Sequence, residues 1–135
     1  MGAWGYGPFD NDDAADWVYE LEQCANADEV TEVLTSVVSA PGYLLAPLGS
    51  VGLAAAEVVA TATGTPGDAL PTAVLKWIRD HQHAIDASLR QLAAAVVDRV
   101  LGDDSEVADL WDDEADRTWR ASGSDLGRRL SASYK

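Results

Sequence analysis

A single cysteine in 135 residues, Cys24, excludes an intrachain disulfide framework and any metal site built from several cysteines. No lysine or arginine precedes Lys76, yet residues 1–75 hold 11 aspartates and glutamates. Residues 76–135 carry 9 basic and 12 acidic side chains, so the two parts contribute −11 and −3 to the net charge of −14. That field repels nucleic acid and anionic membrane, and it favours a basic protein partner or a divalent cation. The plainer reading is solubility of an alanine-rich chain. Long apolar runs are also missing. Residues 40–56 are uncharged, but Pro41, Pro47, Gly42, Gly49 and Gly52 interrupt them and Glu57 closes the run. A spanning helix needs about 20 apolar residues, so a buried helix is expected there instead. No basic and apolar leader follows Met1, and a cytoplasmic location is expected. With no alternating run, internal repeat or low-complexity linker, but 47% hydrophobic residues and five tryptophans, the chain reads as one globular domain over 1–135.

What is present is helical periodicity behind an unusual opening. Residues 1–9, Met1-Gly2-Ala3-Trp4-Gly5-Tyr6-Gly7-Pro8-Phe9, hold three glycines, a proline and three aromatics, and four aspartates follow by Asp16. This predicts an aromatic and glycine turn, packed on the bundle, that feeds an acidic helix start. Ala14, Trp17, Val18, Leu21, Cys24 and Ala25 make the first stripe, with Asp10 as N-cap, Asp13 completing an acidic capping box, and Phe9 and Ala14 as a hydrophobic staple. Asn26-Ala27-Asp28 caps a second helix whose inner face is Val30, Val33, Leu34, Val37 and Val38, and Ala40-Pro41-Gly42 stops it. A third helix is expected from about Pro47 to Thr63, ending at Gly64. Its small residues let neighbours approach closely and make it the central one. Pro71 opens a short helix carrying Val74, Leu75, Trp77 and Ile78, and residues 80–83 offer a bend. The cleanest stripe follows: Ile85, Leu89, Leu92, Ala93, Val96, Val100 and Leu101, with Asp86 and Arg90 as an i,i+4 pair on its outer side. Gly102 ends that helix, and Asp103 with Glu106 reads as a second capping box. Val107, Leu110, Trp111 and Ala115, then Trp119, Leu126 and Leu130, line the last helical region. Ser122, Gly123 and Ser124 offer a break within it. The expected fold class is all-α: a compact bundle of five to seven helices with an N-terminal aromatic/glycine turn.

The opening M-G-x-W-G-x-G-x-F-x-N-D, with Ser105-Glu106-Val107-Ala108-Asp109-Leu110-Trp111 and the spacing from Trp119 to Leu130, resembles a bacterial family of unknown function, the one numbered forty-two fifty-nine. The resemblance spans nearly the whole chain. It implies a small bacterial single-domain protein with no settled activity, and it supplies no catalytic residues.

Candidate chemistry is sparse. Asp12, Asp16 and Glu20 fall at i, i+4 and i+8, one helix face, with Asp13 nearby. Such oxygen ligands suit Mg²⁺, Mn²⁺ or Ca²⁺. The glycine and terminal glutamate of a calcium loop are absent, however, and an acidic first turn follows simply from the helix dipole. His81 and His83 could ligate together only from a strand or bend. Cys24, near a helix C-terminus among acids, reads as an inert core thiol. Ser122 and Ser124 follow no strand and make no nucleophile elbow. Glycines 2, 5 and 7 make no phosphate cradle in so acidic a setting. Trp17, Trp77, Trp111 and Trp119 sit at core positions, whereas Trp4, Tyr6 and Phe9 lie outside the periodic pattern, as a lid on the helices or as the centre of a binding patch. The leading reading is a non-enzymatic, acidic protein-interaction module, with no cofactor, that binds a basic protein through Trp4, Tyr6, Phe9, Asp12, Asp13 and Asp16. A toxin-neutralising, immunity-type role belongs to this class. The alternative is a metal-assisted hydrolase using Asp12, Asp16, Glu20 and a histidine. A third reading is a purely structural homodimer rather than a monomer.

Overall fold

The computed structural model describes residues 7–64, 70–112 and 117–131. Trp4, Tyr6 and Ala115 lie outside the described residues. Within them the chain forms α1 (Asp12–Glu22), α2 (Asp28–Ser39), α3 (Ala46–Ala62), α4 (Thr72–His81), a single 3-10 turn (Gln82–Ala84), α5 (Ala87–Leu101), α6 (Glu106–Asp112) and α7 (Thr118–Ser131). Seven α-helices and no strand among the described residues make this the all-α bundle that the periodicity predicts. An isolated parallel bridge joins Leu44 and Ser105.

The central helix is α3, which packs against each of the other six. Its small residues are the reason. A Cβ on Gly52 would lie 2.7 Å from Val37 Cγ2 and 3.2 Å from Val96 Cγ1, so α2 and α5 both close onto α3 at that glycine. Ala54, Ala55, Ala56, Val58, Val59 and Ala60 are all fully buried around it. Gly64, at φ +100°, ends the helical path where only glycine adopts that backbone without strain. The inner faces of α1, α2 and α4 contribute Trp17, Leu21, Val30, Leu34, Val37, Val74 and Trp77 to the same core. Each fully buried aliphatic side chain there contributes about 1.5–3 kcal/mol relative to exposure. The buried indole N–H groups find acceptors: Trp17 Nε1 donates to Glu29 Oε2 at 3.0 Å and Trp77 Nε1 to the Cys24 carbonyl at 3.1 Å.

Several local expectations are corrected. The N-cap of α1 is Asn11, not Asp10, because Asn11 Oδ1 accepts from the Ala14 N–H at 2.8 Å. That shifts the register by one residue and dissolves the capping box and the staple, although Phe9 and Ala14 are both buried in the core. Asp86 is the N-cap of α5, accepting from the Leu89 N–H at 3.0 Å, and Arg90 is buried rather than paired on an outer face. The cause is α7, which covers a second stripe of α5: Arg90 donates to the Arg129 carbonyl, and Leu101 packs where a Cβ on Gly123 would stand. The helix accordingly continues through Gly123 unbroken. Ser105 Oγ, not Asp103, accepts from the first turn of α6, and Glu106 instead caps α3 by accepting from the Ala46 N–H at 2.7 Å. Val38, expected on the inner face of α2, is exposed, and so are Ala25, Leu75 and Leu110, each expected among the apolar stripes.

Candidate functional site

The residues before α1 form a closed turn. Asp10 N–H donates to the Gly7 carbonyl at 3.0 Å, while the Asp10 carboxylate accepts from the Gly7 N–H at 3.2 Å. A Cβ on Gly7 would stand 2.9 Å from that carboxylate, so glycine permits the close approach. Asp10 thus shapes the turn and Asn11 starts the helix, while Asp12, Asp13 and Asp16 are exposed, the first two in the opening turn of α1 where the helix dipole favours acids. Phe9 is only 8% exposed and supports the turn from beneath rather than presenting an aromatic surface.

The exposed aromatic on this face is Tyr19, 70% exposed and absent from the sequence-based candidates. Asp12, Asp16, Tyr19 and Glu20 follow at i, i+4, i+7 and i+8, which places them on one strip of α1. That spacing was available in the sequence. Glu22 on α1 and Asp28 and Glu32 on α2 are exposed as well. None of Asp12, Asp13, Asp16, Glu20, Glu22, Asp28 and Glu32 has an ion-pair partner among the described residues.

Beside this face lies a cleft of about 50 Å³ between the turn, the start of α3, and α6 and α7. Leu53, Val107 and Trp119 line it as buried groups, Trp111 as a half-buried one, and Asn11 and Asp13 are among its polar lining residues. The Trp111 and Trp119 rings stack in parallel at 6.0 Å. The structure therefore brings Asp13 to the same cavity as two tryptophans separated from it by about a hundred residues, a juxtaposition with no local signal in the sequence.

Elsewhere several ionisable groups are engaged with each other. Tyr43 Oη donates to Asp109 at 2.6 Å, and that bond, with the surrounding carboxylates, pushes the phenol up to about 12. Arg120 holds Asp112 below its ordinary value through paired bonds of 3.1 and 2.9 Å. Inside the bundle Arg129 makes a bidentate pair with the buried Glu57 at 2.7 and 2.6 Å and also holds Asp125 at 3.0 Å. The histidines do not converge. His81 Nδ1 lies 2.8 Å from the Trp77 carbonyl with its ring stacked on Trp77, and His83 is exposed on the 3-10 turn. Cys24 is half-buried just beyond α1 rather than in the core. Burial and then Glu29 and Glu20 raise its thiol, so it is not a ready nucleophile. No group of three or more His, Cys, Asp or Glu side chains among the described residues is placed to share a metal ion. No helix among them is long and apolar enough to cross a membrane.

A family model described as a domain of unknown function (DUF4259) matches residues 2–122, and the chain belongs to that family. No curated protein and no solved structure matches it.

Proposed function

We propose that this member of the DUF4259 family is a non-enzymatic protein-interaction module that receives a basic protein partner on the exposed face of α1. The observation that carries the reading is the strip of Asp12, Asp16 and Glu20 around the exposed Tyr19. Tyrosine is enriched at interface hot spots because a rigid ring with one polar tip buries much area at little entropy cost. Unneutralised carboxylates around it speed and orient encounter with a cationic surface and disfavour nucleic acid. Asp13 extends the face toward the N-terminal turn, and Phe9 acts as its buried support. Trp4 and Tyr6 stay in the proposed binding set on their place beside this turn in the sequence. A toxin-neutralising, immunity-type role is one form of such an activity, supported by acidity and small size. The metal-assisted hydrolase finds no favouring observation.

The test is affinity capture with the intact chain as bait, followed by calorimetry with each purified candidate partner at low and high salt. The expected partner is basic, and its affinity falls at least tenfold with Tyr19→Ala combined with Asp16→Lys and falls again as salt is raised. Binding that ignores both the double variant and salt sinks the proposal.

A further inference from the structure

We infer that the cleft beside the N-terminal turn receives one basic side chain of the partner, its cationic head set between Asp13 and the Trp111 ring. This rests on the protein-interaction reading and names what the partner must bring. Size decides first. A cavity of about 50 Å³ is far below the roughly 300–1,000 Å³ of sites for cofactors and drug-sized ligands, yet it exceeds the ~10–15 Å³ that one water needs. It fits the head of a side chain.

Charge decides next. Among the described residues Asp13 is the ionisable group that lines the cleft, no lysine or arginine joins it there, and it has no ion-pair partner. An apolar knob would bury that carboxylate without compensation, and an anion would meet it directly. The helix N-termini at the cleft do not reverse this preference. The Asn11 side chain already caps α1 and Glu106 already caps α3.

Aromatic chemistry completes the match. Indole faces attract cations placed within about 6 Å of the ring centre, and a guanidinium can stack on the ring while its N–H groups meet a carboxylate. The same tryptophan pair already accepts one cation: the Arg120 guanidinium carbon lies 5.9 Å from the Trp119 ring centroid, and Arg120 does not line the cleft. Trp111 is the partly exposed member of the pair, and it presents its surface to the cavity.

The test titrates the intact protein with n-propylguanidinium and, separately, with its neutral isostere n-propylurea, following the tryptophan indole N–H resonances assigned with Trp111→Phe. Saturable shifts are expected at Trp111 and Trp119 with the guanidinium and at least tenfold weaker binding of the urea. Asp13 is exposed, so Asp13→Asn leaves the fold intact, and it weakens the guanidinium about three- to tenfold. Tyr19→Ala leaves the titration unchanged. Equal binding of the two probes, indifference to Asp13→Asn, or shifts spread over Trp17 and Trp77 overturn the inference. If the titration fails while Tyr19→Ala still costs partner affinity, the cleft inference falls and the α1 interface stands. If the titration succeeds while no partner responds to Tyr19→Ala, the cation site stands and the α1 interface falls.

Discussion

Along α1 and α2, seven exposed carboxylates stand without an ion-pair partner among the described residues, whereas on α4, α6 and α7 Asp80, Asp112 and Asp125 each meet Lys76, Arg120 or the pair Arg128 and Arg129. The difference is not one of need. Exposed ion pairs contribute only about 0–1 kcal/mol, so the carboxylates of the first two helices lose little by standing in water. Where need is real, the molecule supplies a counter-charge from far away. Glu57 is 3% exposed in the middle of α3, in the half of the chain that has no basic residue, and Arg129 of α7 reaches it across 72 positions. The buried Glu57 thus takes its arginine from the far half of the chain, while the exposed carboxylates of α1 and α2 make no ion pair among the described residues.

The comparison is broken most severely at its one crossing point. Arg129→Leu strands the Glu57 carboxylate in the interior and is expected to cost about 3 kcal/mol or more, read from urea unfolding, while Glu57→Met with Arg129→Met recovers most of that loss. A loss below about 1 kcal/mol would mean that the pair behaves like the surface pairs around it. Packing offers the next contrast. Gly52→Ala drives a methyl against the β-branched Val37 and Val96, with an expected cost of about 1–2 kcal/mol after the gain in helix propensity. Gly123→Ala meets only the far end of the half-buried Leu101 and should stay within about 0.5 kcal/mol of the parent, both read from thermal unfolding.

Smaller again is the link from Tyr43 to Asp109. The phenol in the folded chain sits at about 12 against an ordinary 10.0, so its stabilisation is complete below pH 10 and is lost as pH rises through about 12. Tyr43→Phe should remove a late-ionising phenolate from the near-ultraviolet titration and flatten the stability profile across that window. The smallest effect belongs to the acidic face. Asp16→Lys with Glu20→Lys should leave stability within about 0.5 kcal/mol, since both lie beyond the first turn of α1 and neither has an ion-pair partner among the described residues. A larger destabilisation there would show that these carboxylates serve the fold.

The helices were legible because each buries at least one apolar stripe, and the glycine and alanine content of α3 foretold its central place. What escaped sequence reasoning is what depends on a second neighbour. One stripe of α5 reads clearly as core, but α7 buries the Arg90 stripe too, and nothing local to residues 86–90 announces it. Asp10 and Asn11 are both good caps by type, so pattern alone chooses poorly between adjacent residues whose roles separate only when Asp10 folds back on Gly7. Of the candidate site, Asp12, Asp13 and Asp16 were readable as surplus charge. Tyr19 shares the helical spacing of those acids, while the Trp111 and Trp119 pair beside Asp13 is a product of tertiary packing alone.

The cap that Glu106 places on Ala46 bears on how the molecule comes together. The residue preceding α3, Leu45, offers no side-chain cap, and the first N–H of the helix is served by a carboxylate 60 positions later. The neighbouring strand-like exchange joins the same two segments: Leu44 N–H donates to the Asp104 carbonyl and Glu106 N–H to the Leu44 carbonyl, each at 2.8 Å. During synthesis the start of the middle helix therefore waits, unfinished, until α6 has emerged and a loop of that length has closed. A chain cut after α5 would retain five helices and most of the core but lack the latch at the head of the helix around which all the others are arranged.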